Sequence, residues 1–369
     1  MRIVVDGTPL CLTLTGIGQY THSLLTALAE HRPDWEFTVL SPYDPRERVQ
    51  APNVNHDLVT SRAKHEHVVG WRARWFDTVL PNSVRRVAPQ IFWAADGQVP
   101  FFLRSVPVAL TVYDFVPLRY PETMSIAARN YRRFNQRFWI RRSQWLLPIS
   151  QAVAQEIRDL YGIDPGSVVY PGVDCIFRQV GRPKTCDSPP YFVVLGTMQP
   201  RKNLQNLFRC VKSLVDEGSW PSDLQVYLVG EKGWRDAEIV QEITPLEQQG
   251  LVKKLGFLPR KQLPELLAGA RALLMPSIYE GFGMPIAEAL ACGCPVVCSD
   301  IPAFREIAND TVALFHGTDM VSMLSAYHRL LREPGVLPIH VKPATVDKFN
   351  WKHSAEVFAQ ALEANITIN

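Results

Sequence analysis

Apolar residues in this chain come in short runs of three to six, separated by stretches where they recur every third or fourth position. The runs read as buried strands and the spaced stretches as helices with one covered face. In the first half the predicted strands are Ile3 to Val5, Phe37 to Leu40, Ile91 to Ala94, Pro107 to Val112, Trp145 to Ile149 and Val168 to Tyr170. Helical spacing fills Tyr20 to Glu30, with Leu24, Leu25 and Leu28 on one side, and again Arg129 to Arg142 and Ala152 to Tyr161. Ser150 stands as an N-cap for the last of these. Residues 41 to 90, broken by Pro42, Pro45 and Pro52, resolve into no clear element.

The second half repeats the rhythm. Strands are predicted at Tyr191 to Leu195, Leu224 to Val229, Val252 to Leu258, Ala272 to Met275, Pro295 to Cys298 and Leu314-Phe315. Helices are predicted over Gln262 to Ala270, from Pro285 to the stop at Gly293, and over Met320 to Arg332. Alternating strands and helices build parallel sheets, and 369 residues exceed one ordinary α/β core. Two domains follow, residues 1–174 and 191–345. Residues 175–190, with Gly181, Pro183, Pro189 and Pro190, join them as a linker.

Composition narrows the class. No run of about 18 apolar residues exists, so no membrane-spanning helix is expected. Met1 to Asp6 reads as a strand rather than a secretory leader, so the expectation is a cytoplasmic protein. Seven cysteines make a poor disulfide framework. Cys292, Cys294 and Cys298 cluster, but without a fourth ligand in reach they read as small buried residues, and no metal is expected. The net charge of +3 hides an excess of basic residues in the first half. Part of it lies in Arg129 to Arg142, which carries Phe134 and Phe138 among its arginines. That helix could lie on anionic lipid, or pack its aromatic face on a sheet with the arginines in water. Trp71-Arg72-Ala-Arg74-Trp75-Phe76 is open to the same pair of readings.

The chemistry concentrates between Ala272 and Asp300. A strand there runs into Glu280-Gly281-Phe282-Gly283-Met284-Pro285, a helix start, and then Glu288 within the helix. Glycines beside a helix N-terminus let a ligand approach backbone N–H groups, which suits an anion. Glu288 alone could be plain dipole compensation. After the strand at Tyr191, Gly196-Thr-Met-Gln-Pro-Arg201-Lys202-Asn203 sets two cations at a strand end, suited to a diphosphate. Gly16 and Gly18 lie in an early strand-to-helix loop, without a full dinucleotide fingerprint.

The Glu280-x7-Glu288 cassette resembles the signature of family 4 of the retaining nucleotide-sugar glycosyltransferases, and the likeness runs along most of the chain. The resemblance implies the GT-B architecture: an α/β fold of two Rossmann-like domains with parallel sheets facing a central cleft. Residues 346–369, opening on Phe349-Asn-Trp351, would form a helix crossing back to the first domain. Glu288 would hold the donor ribose. Glu280, with the backbone of Gly281, Phe282, Gly283 and Met284, would hold the hexose. Arg201 and Lys202, near Gly196, would carry the diphosphate, with Gly16 and Gly18 against phosphates and sugar. Asp114 matches the family's His-Asp pair. Tyr113 stands in the His position, where a phenol can donate a hydrogen bond but cannot relay protons at neutral pH.

The implied activity is retaining transfer of a hexose without metal or other cofactor. Mannose from GDP-mannose is the expected donor, ahead of UDP-hexose or dTDP-rhamnose. The acceptor would be a lipid-linked glycan in bacterial O-antigen or exopolysaccharide assembly, at the inner face of the membrane. No nucleic-acid partner is expected. Two other classes stay open: a nucleotide-sugar epimerase of similar fold, and a non-catalytic sugar-nucleotide-binding protein.

Overall fold

The computed structural model describes residues 1–11, 16–59, 75–123, 126–181, 189–231, 233, 236–308, 312–315, 319–332 and 344–366. The chain divides into two compact units. The first takes Met1–Phe115, Asn130–Gly172 and Phe349–Asn369, and the second takes Val116–Arg129 and Val173–Lys348.

In the first unit β1 (Arg2–Asp6) leads to α1 (Gly16–His31), β2 (Glu36–Ser41), β3 (Val54–Leu58), α2 (Leu80–Val87), β4 (Ile91–Ala94) and β5 (Val108–Val112). Then come α3 (Ile126–Arg142, in this unit from Asn130), β6 (Trp145–Pro148) and α4 (Gln151–Tyr161). All six strands are parallel, in the order β3-β2-β1-β4-β5-β6. Four strands are buried along most of their length because βα crossovers cover both faces. Edge strand β3, Val-Asn-His-Asp-Leu, is mostly exposed, and so lacks the apolar run that marks the others.

Several sequence expectations shift. Helix α1 starts four residues earlier than predicted, which puts Gly16 and Gly18 in its first turn rather than in a loop. Val168 to Tyr170 is not a ladder strand: Val169 N donates to Pro148 O at 2.9 Å, and Pro171 has no N–H with which to go on. Ser150 does cap α4, its side chain accepting from Val153 N at 3.0 Å. Of the tryptophan-arginine cluster, Trp71 to Arg74 lie outside the described residues, while Trp75 and Phe76 are buried. Helix α3 turns Gln136, Trp139 and Ile140 inward. Phe134 is 82% exposed while Trp139 is buried, so the helix packs one aromatic inward and leaves another in solvent.

The C-terminal helix Trp351–Ile366 belongs to the first unit. It packs along α1, sets Phe358 on Trp93 at 4.9 Å, and donates Ser354 Oγ to Tyr170 O at 2.6 Å. Arg32, just past the end of α1, and Glu363 form an ion pair across that seam.

The second unit holds β7 (Tyr191–Leu195), α5 (Leu204–Asp216), β8 (Gln225–Val229), α6 (Ala237–Gln248), β9 (Val252–Gly256) and α7 (Leu263–Gly269). It continues with β10 (Ala272–Met275), α8 (Met284–Ala291), β11 (Val296–Ser299), β12 (Val312–Phe315) and α9 (Met320–Arg332). Its parallel order is β12-β11-β10-β7-β8-β9. Counted from the start of each unit, both sheets run 3-2-1-4-5-6, the Rossmann order. Phe192, Val194, Phe208, Val226, Leu228 and Leu274 share the second core.

In that order the neighbouring first and fourth strands send their crossovers to opposite sides, leaving a crevice at their carboxyl ends. For the second unit those strands are β7 and β10, and the two sequence motifs singled out above follow them directly.

Candidate functional site

The candidate residues fall into two sets. Gly16, Gly18, Tyr113 and Asp114 belong to the first unit, and Gly196, Arg201, Lys202, Gly281, Phe282, Gly283, Met284, Glu280 and Glu288 to the second.

In the second unit, Gly196 leaves β7 with φ +136°, a conformation that L side chains rarely adopt. A Cβ there would meet Lys202 Cε at 3.2 Å, so Gly196 also makes room for the lysine. The chain then tightens into a 3₁₀ turn, Pro200–Lys202, closed by Asn203 in the left-handed region at φ 56°. Asn tolerates that conformation better than most residues. Arg201 and Lys202 are thus fixed on a rigid turn. Ile278 N donates to Arg201 O at 2.9 Å, tying the loop after β10 to the loop after β7.

Glu280 rises from the β10 loop between the two cations. Arg201 Nη1 donates to Oε2 at 2.7 Å, Lys202 Nζ to Oε1 at 2.5 Å, and Ser277 Oγ to Oε1 at 2.9 Å. Burial works to raise the Glu280 pKa, but the Arg201 and Lys202 charges outweigh it and hold the carboxyl at about 2. Glu280 is therefore an anion throughout the neutral range and no proton donor. Burial and the neighbouring Arg201 pull Lys202 below its ordinary value, against the attraction of Glu280. Two cations face one carboxylate here.

Gly283 precedes α8 with φ +128°, and a Cβ would lie 2.9 Å from the Phe304 ring. It is the N-cap of α8 and offers no side-chain cap, with Met284 and Pro285 opening the helix. Phe282 is a core side chain at 3% exposure, so only its backbone can meet a ligand.

Glu288, one turn into α8, is 4% exposed. Its partner is one that the sequence reading missed: Arg260 Nη2 donates to Glu288 Oε1 at 2.7 Å. Arg260 Nε donates at 2.7 Å to Asp174 Oδ2, and the guanidinium stacks over Phe177 at 4.8 Å. Burial raises the Glu288 pKa, Arg260 opposes the rise, and Asp174 adds to it. Two carboxylates thus meet at one guanidinium. The sequence marks Asp174 only as the end of the first predicted domain, and Arg260 not at all. The only available signal was the position of Arg260 a few residues past β9, which ends at Gly256.

In the first unit, Tyr113 OH donates to Ala95 O at 2.7 Å, and its ring sits edge-on to Tyr20 at 5.5 Å. Burial raises its pKa well above the usual phenol value. Tyr113 is a packed hydrogen-bond donor with its proton committed to a carbonyl. Asp114 is half-buried, and Gln136 Nε2 donates to its backbone carbonyl at 3.3 Å. Gly18 is buried within α1 and Gly16 is exposed at its start.

Cys292, Cys294 and Cys298 are buried. The Cys292 thiol donates to Phe177 O at 3.3 Å, and burial pushes its pKa up to about 12. Among the described residues no group of three or more His, Cys, Asp or Glu could hold a metal ion. Nor is any described helix long and apolar enough to cross a membrane.

Comparison with known proteins bears on both units. Residues 14–176 match the family described as Glycosyltransferase Family 4, and residues 178–337 match Glycosyl transferases group 1. O-antigen chain mannosyltransferase B of Escherichia coli is 27% identical over 350 residues, covering 89% of each chain. O-antigen chain mannosyltransferase RfbU of Salmonella typhimurium is 26% identical over 335 residues, covering 88% of this chain and 89% of the relative. Among solved structures, sucrose-phosphate synthase from Thermosynechococcus elongatus superposes over the whole of both chains with a TM-score of 0.80 at 16% identity. That likeness speaks for the fold.

Proposed function

The chain belongs to glycosyltransferase family 4, with the GT-B fold, and from that premise we propose that it transfers mannose from GDP-mannose to a growing O-antigen or related glycan. The observation that carries the reading is the Arg201–Lys202–Glu280 cluster at the switch point of the second sheet. Its two neighbouring cations suit a diphosphate, and the glutamate between them suits the hydroxyls of the attached sugar. The choice of mannose is supported by two relatives that match nearly nine-tenths of the chain and are both named mannosyltransferases.

In this reading the acceptor oxygen bonds to the anomeric carbon on the face from which the diphosphate departs. The carbon–oxygen bond to the diphosphate breaks, the acceptor proton passes to the leaving group, and configuration is retained. Negative charge grows on the diphosphate as positive charge grows on the sugar ring. Arg201 and Lys202 meet the first, and fixed cations lower such a barrier because they need no reorganisation. Glu280, ionised and held by both, meets the second. The proposal routes no step through a metal or other cofactor. Glu288 takes the ribose, and the backbone of Gly281, Phe282, Gly283 and Met284 the hexose.

We also infer a lipid-linked acceptor, met at the cytoplasmic face of the membrane. In the first unit Phe134, Arg137, Phe138, Arg141 and Arg142 line a shallow hollow. Phe101 packs on Phe138 at 5.2 Å, and Phe101 and Phe102 are 45% and 49% exposed. Exposed aromatics among arginines suit an anionic bilayer surface. Sedimentation with phosphatidylglycerol vesicles should then pull down the wild type, and phosphatidylcholine vesicles should not. Phe134→Ser with Arg137→Gln should abolish the difference, and unaltered sedimentation would remove this surface from the proposal.

The test of the function is a thermal-shift panel with GDP, UDP and dTDP, followed by donor turnover. GDP should stabilise the protein, as linkage requires of a ligand that binds the folded state, and GDP-mannose should release GDP only when acceptor is present. Stabilisation by UDP or dTDP alone would overturn the donor. Conversion of the sugar nucleotide without acceptor would make the protein an epimerase, and binding without any turnover would make it a non-catalytic receptor.

A further inference from the structure

We propose that Arg260 is a positioning residue for the nucleoside end of the donor: it grips Glu288 by one oxygen and so presents the other to the ribose hydroxyls. The inference rests on the reading of the second unit as a nucleotide-sugar site and adds a residue to it.

The geometry is that of a clamp. Arg260 opens the 3₁₀ turn Arg260–Gln262 ahead of α7, and two edges of its guanidinium are held, Nε on Asp174 and Nη2 on Glu288, both at 2.7 Å. The Phe177 ring at 4.8 Å holds its plane. A flat, always-charged fork held on two edges and one face has little freedom left. Glu288 Oε1 is engaged, while Oε2 accepts no hydrogen bond from the described residues.

The support behind the clamp is also tied to α8. Asp174 is the N-cap of the turn Cys175–Phe177, and Phe177 O accepts from Cys292 Sγ at the end of the helix that carries Glu288. The turn therefore meets α8 at two places, through Arg260 at Glu288 and directly at Cys292.

Chemistry explains why a cation is needed there. A ribose diol offers two donors, and a carboxylate is an acceptor at both oxygens, whereas a protonated carboxyl is half donor and mismatched. Burial favours the protonated form of Glu288, and Arg260 opposes that drift. Arg260 thus maintains both the charge and the aim of a residue that would otherwise lose both.

The test compares GDP with 2′,3′-dideoxy-GDP by calorimetry on the full chain. Wild type should bind the dideoxy nucleotide about 10- to 100-fold more weakly, the range expected for hydrogen bonds to a charged group. Arg260→Gln should bind both nucleotides alike, near the wild-type affinity for the dideoxy form. Its turnover should show a raised donor KM with kcat at saturating donor little changed. Its GDP binding should also fall off more steeply than that of wild type as pH is lowered, because without Arg260 nothing opposes the rise that burial gives the Glu288 pKa. Full discrimination in Arg260→Gln overturns the proposal. Where that variant does not fold, Arg260→Lys carries the test, since it keeps the charge and loses the fork, and wild-type discrimination in it overturns the proposal equally. Wild type that binds GDP without discriminating overturns the ribose role of Glu288 and the clamp with it. Wild type that binds no nucleoside diphosphate overturns the functional reading itself.

Discussion

Two carboxylates, eight residues apart in one βα loop and helix, live in different electrostatic surroundings. Glu280 lies between two cations, Arg201 and Lys202. Glu288 and Asp174 are two carboxylates that meet at one guanidinium, Arg260. Similar side chains on neighbouring turns are thereby set for different ligands. The first cluster attracts an anion and keeps its carboxylate ionised, with a pKa near 2. In the second, burial works against ionisation and Arg260 opposes it, and the carboxylate so kept is matched to neutral hydroxyl donors. A nucleotide sugar needs both ends: phosphates that want cations, and a ribose that wants acceptors.

Removing the anion from the positive cluster should break the comparison most sharply. Glu280→Ala should lower turnover by on the order of a hundredfold or more, while nucleotide binding remains measurable. Loss of the carboxylate leaves Arg201 and Lys202 in mutual repulsion and strips the developing sugar cation of its counter-charge. Unchanged turnover in that variant would end its assigned role. Lys202→Ala should act next in size, weakening GDP binding by about 10- to 100-fold, the scale of a lost charge-assisted contact. Its residual affinity should depend less on salt, because one cation fewer meets the diphosphate. Equal GDP affinity and equal salt slope in mutant and wild type would mean that the positive cluster serves only the fold.

The same contrast explains what could be read from the sequence. Arg201, Lys202 and Glu280 were legible because each directly follows an apolar run, and in a doubly wound sheet the carboxyl ends of strands are where ligands bind. Gly283 has positive φ where a glycine beside a helix start was expected to admit a close approach, and Gly196, at the end of β7, has it as well. Arg260 was not legible. It lies 86 residues from Asp174 and 28 from Glu288 in the chain, and no local pattern announces a partner at that distance. Strand β3 escaped because an exposed edge needs no apolar run, and the placing of Phe134 stayed open because helical spacing says which residues share a face, not which face turns inward. Helix α1 started early because glycines are permitted in a first turn, and the loop that they were assigned to is shorter for it.

The smallest expected effect sharpens the comparison through stability rather than activity. Glu280 has a folded-state pKa depressed from 4.5 to about 2, so its ionised form stabilises the fold. That contribution is present above the unfolded pKa and is lost as pH falls through the folded one. Glu288 has a raised folded-state pKa, so the sign reverses: its contribution favours the fold below its unfolded pKa and is lost as pH rises through the folded value. Urea-unfolding midpoints followed from about pH 7 to about pH 3 should therefore diverge for two isosteric variants. Glu280→Gln should be less stable than wild type at neutral pH, with the gap narrowing in acid. Glu288→Gln should gain on wild type as pH rises, offset in part by the weakened grip of Arg260. Parallel curves for the two variants would mean that Glu280 and Glu288 sit in the same environment, and the division of labour drawn between them would fail.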